Sequence, residues 1–175
     1  IFGDDQMYVG EVFMRQQAVH FKSPEQAIKS GLAFCSEDRK GEGIFPNMSV
    51  ADNLTMPIMD RVYRFGMVNR RKQNEITRDY IQKMSIKTPS ENTKIKDLSG
   101  GNQQKVILSR WLATKPDLVI LDEPTRGIDV GAKAEIQRLM LEMCNNGVSV
   151  IFISSELEEV IRCSNRILIM RDGKK

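Results

Sequence analysis

The sequence predicts an α/β protein built around a parallel sheet, with a small antiparallel part near its start and an inserted helical lobe. Three observations carry this. Apolar runs alternate with helical patterns over the later part of the 175 residues. Those runs, such as Leu118 to Leu121 and Val148 to Ile153, are nearly all apolar, as strands covered on both faces are. Between Val50 and Met84 the periodicity is instead helical.

In chain order, Tyr8 to Phe21 mixes apolar and polar residues around Arg15, Gln16 and Gln17, which predicts an antiparallel hairpin. Ser23 is a suitable N-cap, Pro24 a suitable first helical residue and Gly31 a suitable left-handed stop, so a short helix lies between them. Leu32 to Cys35 is a strand. Ser36 to Met48, with Gly41, Gly43, Pro46 and many charges, reads as a long exposed loop. In the helical lobe Ile76, Tyr80, Ile81 and Met84 mark the inner face, and Arg70, Arg71, Lys72 and Asn74 the solvated one. Asn102 to Ala113 is a helix. Ala132 to Cys144 is another, with Ile136, Leu139, Met140 and Met143 at core spacing and Asn146 and Gly147 closing it. A short helix over Glu156 to Ile161 separates the strand at Val148 to Ile153 from a last apolar run, Ile167 to Met170, read as a strand.

With 41% hydrophobic residues the chain can bury a core, and 26 basic against 23 acidic residues leave a net charge of only +3. So balanced a charge gives no argument for nucleic acid as a partner. Cys35, Cys144 and Cys163 have neither metal-like nor CxxC spacing and read as buried small hydrophobes in a reducing compartment. His20 reads as an ordinary side chain. No apolar stretch approaches the roughly 20 residues of a membrane helix, so membrane contact is expected through a partner. The chain opens abruptly at Ile1, as an excised piece of something longer does.

Two segments carry chemistry. Leu118 to Thr125 places Asp122 and Glu123 at the carboxyl end of a buried parallel strand, where open α/β sheets bind ligands. Asp122 suits Mg²⁺, held through its waters, and Glu123 suits a group that orients or deprotonates an attacking water. Taken alone, the segment also fits an acidic strand end before a proline turn. The second segment is Leu98-Ser99-Gly100-Gly101-Asn102-Gln103-Gln104-Lys105-Val106. Two glycines at a helix start let backbone approach an anion, Ser99 adds a hydroxyl, and the free N–H groups and dipole favour phosphate.

That second segment resembles the signature motif of ABC ATPases, and its distance to Asp122 matches that family's distance from signature to Walker B. Arg126-Gly127-Ile128-Asp129-Val130-Gly131 stands at the family's D-loop, with Asp129 facing the partner cassette, and Ser36-Glu37-Asp38-Arg39-Lys40 at its Q-loop. Here Glu37 replaces the Q-loop glutamine, Ser155 the switch histidine and Asn102 the usual glutamine of the signature. With the phrase DEPTRGIDVGAK, these departures resemble the second cassette of the fused two-cassette ATPases that drive bacterial uptake of ribose, galactose and similar monosaccharides.

The resemblance implies a P-loop NTPase-like (RecA-like) α/β fold in which residues 1–175 form part of a nucleotide-binding domain and about 49–105 its helical subdomain. It implies ATP and Mg²⁺ as cofactors in the intact protein. The implied partners are a first cassette on the same polypeptide, transmembrane permease subunits and, indirectly, a sugar-binding protein, with a peripheral place on the cytoplasmic face of the membrane. Ser99, Gly100, Gly101, Asn102 and Gln103 would act in trans on ATP held by the first cassette. The loop from Glu37 to Asn47 would touch the permease, with Arg39 and Lys40 reaching toward it.

No Gly-x-x-x-x-Gly-Lys-Ser/Thr occurs in the sequence, whose one Gly-Lys is Gly173-Lys174. In the family that loop precedes the segment resembled by Ile1-Phe2-Gly3, so this chain alone is expected to bind Mg-ATP weakly and to lack ATPase activity. Two other readings stand beside the importer: a soluble ABC ATPase of repair or translation, and a degenerate cassette serving as a docking and allosteric module.

Overall fold

The computed structural model describes residue 2, residues 10–64 and residues 66–170. Gly173-Lys174, and Tyr8 and Val9 of the expected hairpin, lie outside them. The hairpin forms from β1 (Val12–Met14) and β2 (Gln17–Val19), paired antiparallel, with Arg15 and Gln16 making the turn at positive φ. Helix α1 (Pro24–Lys29) starts as its sequence indicates: the Ser23 side chain accepts from Gln26 N. Gly31, at φ +91, turns the chain into β3 (Leu32–Cys35).

The segment 36–48 is largely exposed, as expected, but it is tied down. Asp38 Oδ1 accepts from Gly41 N at 2.9 Å and starts a single π-helical turn, Arg39–Gly43. Gly43 and Ile44 are buried beneath it. The helical lobe is likewise more broken than its periodicity suggests. It runs through α2 (Val50–Thr55), a 3₁₀ turn and α3 (Met59–Val62), then a two-stranded hairpin of β4 (Tyr63–Arg64) and β5 (Met67–Val68), before α4 (Arg70–Lys83). On α4 Ile76, Tyr80 and Ile81 are only partly buried, and the deepest side chains are the polar Gln73 and Thr77. Both are satisfied there: Gln73 Nε2 donates to Thr55 Oγ1 at 2.9 Å, and Thr77 Oγ1 to Gln73 O at 2.8 Å.

Helix α5 (Gly100–Leu112) runs from that lobe into the core, buried along most of its length. Two buried cations on it act as cross-links. Lys105 pairs with Glu135 and donates to Ser85 O at 3.0 Å. Arg110 donates to Asn53 O (2.6 Å), Asn53 Oδ1 (3.0 Å) and Gly43 O (2.7 Å), joining α5 to α2 and to the π-helical turn. Burial with neutral acceptors lowers the Arg110 pKa to about 10.

Strand β6 (Leu118–Asp122) then pairs parallel with β3, and after α6 (Val130–Asn145) the strand β7 (Ser149–Ile153) pairs parallel with β6, giving the order β3-β6-β7. Ile136, Leu139, Met140 and Met143 of α6 are all buried, and Gly147 closes the helix at φ +86. Two expectations fail at this end. β7 is not covered on both faces: its side chains alternate, leaving Ile151 44% and Ile153 46% exposed. After α7 (Leu157–Cys163), residues 167–170 form no strand and stay exposed, having no strand pairing. Of the cysteines only Cys35 is buried; Cys144 lies on the solvent side of α6 and Cys163 is intermediate. No described helix is long and apolar enough to cross a membrane.

Candidate functional site

β6 delivers Asp122 to the carboxyl end of the sheet, and Glu123 leads the chain out of it at φ +45. A non-glycine residue pays about 1–3 kcal/mol for that region. Three hydrogen bonds hold it there. Glu123 N donates to Ile153 O at 3.0 Å, Arg126 N to Glu123 O at 3.0 Å, and Ser155 N to Glu123 Oε1 at 2.6 Å. The carboxylate is thereby aimed along the end of β7, toward the segment that carries Ser155.

Asp122 lies beside a cleft of about 540 Å³ lined also by Ser36, Glu37, Asp38, Glu42 and Arg126. Burial, and secondarily the charge of Glu123, raises its carboxyl above the ordinary aspartate range. Its neighbours are already engaged: Glu37 pairs with Arg126, the Ser36 hydroxyl donates to Glu42, and Asp38 accepts from Gly41 N. Among the described residues no hydrogen bond or salt bridge engages the Asp122 side chain. A half-buried carboxylate left in that state, next to a second one, fits a hard divalent cation with oxygen ligands.

The Ser99 segment forms the N-terminus of α5, with Gly100 and Gly101 as its first two residues. The Ser99 hydroxyl does not cap the helix but accepts from Asn102 Nδ2 at 2.9 Å, and Asn102 Oδ1 accepts from Lys87 N at 2.8 Å. Gln103 is turned inward, donating to Leu98 O (3.1 Å) and Ile95 O (3.3 Å), so its side chain holds the approach to the helix. Gly101 is buried, and a Cβ there would stand 2.5 Å from Ala132 Cβ, so this glycine also sets how closely α5 meets α6. Gly100 faces Arg39: a Cβ there would lie 3.1 Å from Arg39 Nη2. Arg39 Nη1 reaches Arg126 O at 3.5 Å, and its Nε is buried with no hydrogen-bond partner among the described residues. Asp129 caps α6, its Oδ1 accepting from Ala132 N at 2.9 Å.

The fold thus brings Asp122 and Glu37 to one cleft and joins Glu123 to Ser155. Ser99, Gly100, Gly101, Asn102, Gln103 and Asp129 line no part of that cleft. Sequence reasoning missed the Glu37–Arg126 pair and the placing of Arg39 between Gly100 and the Arg126 carbonyl, because these contacts join segments about 60 to 90 residues apart. It also missed Glu159, which is buried and accepts from the Thr125 hydroxyl at 2.6 Å. Among Glu156 and Glu158 on a short helix it reads as one more solvated acid.

Residues 1–126 match the ABC transporter family. The chain is 46% identical over 174 residues to a putative ribose/galactose/methyl galactoside import ATP-binding protein of Agrobacterium fabrum, covering 99% of this chain and 35% of that protein. It is 51% identical over 165 residues to the arabinose import ATP-binding protein AraG of Chromohalobacter salexigens, covering 94% and 33%. It is 44% identical over 174 residues to the ribose import ATP-binding protein RbsA of Clostridium tetani, covering 99% and 34%. The chain therefore spans about a third of the length of these relatives. Among solved structures, an ATP-binding cassette in a dimeric post-hydrolysis state with ADP and Pi superposes with a TM-score of 0.80 at 21% identity, covering 99% of this chain and 74% of that one. A nucleotide-free cassette from an ABC transporter gives 0.81 at 20%, covering 99% and 70%. The fold is the ATP-binding cassette fold, P-loop NTPase-like, and the chain belongs to the ABC transporter family.

Proposed function

We propose that this chain is part of the ATP-hydrolysing subunit of a bacterial monosaccharide importer, and that it forms most of the second, C-terminal cassette, with about 49–105 as its helical subdomain. The observation that carries the reading is the strand end itself. A half-buried Asp122 with no partner sits beside Glu123, whose backbone is held at φ +45 and whose carboxylate accepts from Ser155 N. The names of the relatives, import ATP-binding proteins for ribose, arabinose and galactose-type sugars, supply the class of cargo.

In this reading Asp122 holds Mg²⁺, which neutralises phosphate charge on ATP when bound. Glu123 orients the attacking water and accepts its proton. Ser155, at the switch position, offers its backbone N–H to Glu123 and has no imidazole to offer the phosphate. The N-terminus of α5, with Ser99, Gly100, Gly101 and Asn102, lines no part of the Asp122 cleft and serves ATP held by the first cassette. Gln103 supports that terminus from inside, Asp129 shapes the loop toward the partner cassette, and Glu37, through Arg126, ties the permease-side loop to the D-loop segment. Arg39 packs against Gly100, which leaves the exposed Lys40 as the basic residue of that loop free to meet a permease. Permease subunits, a sugar-binding protein acting through them and a peripheral position on the cytoplasmic face follow from the same reading.

The test is reconstitution of the full-length polypeptide with its permease in vesicles. Hydrolysis stimulated by sugar-loaded binding protein, with sugar uptake that depends on it, is the expected result. Hydrolysis indifferent to permease and sugar would instead favour a soluble ATPase. Uptake that continues with no hydrolysis at this cassette would favour the docking and allosteric module.

A further inference from the structure

The reading above leaves one deeply buried charge without a task. Glu159, on α7, is 2% exposed, and an ionised carboxylate so placed is costly unless donors surround it. Three do. The Thr125 hydroxyl donates to Oε2 at 2.6 Å, the Ser154 hydroxyl reaches the same oxygen at 3.4 Å, and Lys133 Nζ of α6 lies 3.6 Å from Oε1.

The place of these donors in the chain is what matters. Thr125 is two residues beyond Glu123, and Ser154 is one residue before Ser155. The last backbone bond between β6 and the end of β7 is Glu123 N to Ile153 O; past it the two chains leave the sheet. Glu159 bridges them just beyond that point, so the separation between the Glu123 carboxylate and the Ser155 amide is set from beneath by one buried acceptor. Lys133, which also pairs with Glu156, anchors the same acceptor to α6. A carboxylate suits this task because it accepts from both hydroxyls while its charge attracts the Lys133 ammonium, whereas an amide would present its NH₂ to one of them.

We propose that Glu159, acting through Thr125 and Ser154, is the positioning residue that holds Glu123 in register with the Ser155 amide. The tether stands on the geometry alone; its consequence for hydrolysis rests on Glu123 being the group that handles water. Loss of the tether lets Glu123 relax out of its left-handed conformation and takes the carboxylate off line.

The experiment uses the full-length polypeptide with Thr125→Val, Thr125→Ser, Glu159→Gln and the double variant Thr125→Val/Glu159→Gln. Amide hydrogen exchange at Ser155 reads the tether, and kcat with the KM for ATP reads its consequence. Thr125→Val and Glu159→Gln should each speed Ser155 exchange and lower kcat as far as Glu123→Gln does in the same polypeptide and no further, with the KM for ATP unchanged. The double variant should be no worse than the poorer single one, because both remove the same link. Thr125→Ser, which keeps the hydroxyl, should restore both readouts. Unchanged exchange at Ser155 in both single variants overturns the tether. Faster exchange with unchanged kcat, or a fall in kcat matched by the same rise in KM, overturns the positioning role. An inactive wild-type polypeptide overturns the ATPase reading and the catalytic consequence with it, while the exchange data still decide the tether.

Discussion

Asp122 and Glu123 are adjacent carboxylates with different surroundings. Glu123 is satisfied by the Ser155 amide, whereas Asp122 is half-buried and raised by burial and by its neighbour's charge. A raised folded pKa means that the protonated form is favoured by folding. Its contribution is full below the unfolded value of about 3.9 and is lost as pH rises through the folded value, so at neutral pH ionised Asp122 costs stability. Asp122→Asn should therefore raise the Tm at neutral pH, with the gain shrinking to nothing as pH falls below about 3.9; melts across that range would show it, and a gain independent of pH would count against it. The cysteines separate in the same way. Burial pushes the Cys35 thiol up to about 11, while Cys144 is exposed. In the folded chain a thiol reagent should modify Cys144 quickly and Cys35 only on unfolding. The carboxylates were legible in the sequence because their chemistry needs a strand end, and apolar runs mark strands. Glu37's pairing with Arg126 was not, because a contact across 89 positions leaves no local signature. The three cysteines could not be sorted by exposure, since composition does not say on which side of α6 a residue falls.

At the scale of elements, the strands β3, β6 and β7 and the helices α1, α5 and α6 were legible to within a few residues. Each has its own period, cap or glycine stop: Ser23, Gly31 and Gly147 do as their residue types suggest. The β4–β5 hairpin inside the helical lobe was not legible, being two residues a side, too short for any period. Gln73 and Thr77 were on neither expected face of α4, because burial of a polar side chain depends on partners such as Thr55 that lie elsewhere in the chain. The glycine pair opening α5 was legible as a helix start, but only the structure shows that Gly101 also sets the spacing to α6. Gly101→Ala should destabilise the fold by about 1–3 kcal/mol through overpacking against Ala132. Adding Ala132→Gly should recover a good part of that loss, since it removes the methyl that is met. Denaturant titration of the two variants would measure it, and equal stability of single and double variants would show that the helices do not collide there.

For the molecule as a whole, the account rests on a division. One surface carries Asp122, Glu37 and Arg126 around a cleft; another carries the N-terminus of α5, outside that cleft. If each surface serves a different ATP, changes to the two should not be equivalent. Ser155 gives Glu123 a backbone N–H and no imidazole, so hydrolysis at this cassette's own carboxylates should be slow, while the α5 terminus keeps its free N–H groups for the other site. The most direct measurement is steady-state ATP hydrolysis by the full-length polypeptide carrying Ser99→Arg or Glu123→Gln. The arginine puts a bulky side chain at the N-terminal end of α5, where the proposed function has a phosphate, and hydrolysis should nearly vanish. Glu123→Gln should leave a substantial fraction. Equal loss in the two variants would contradict the division and require both ATP sites to be treated as catalytic.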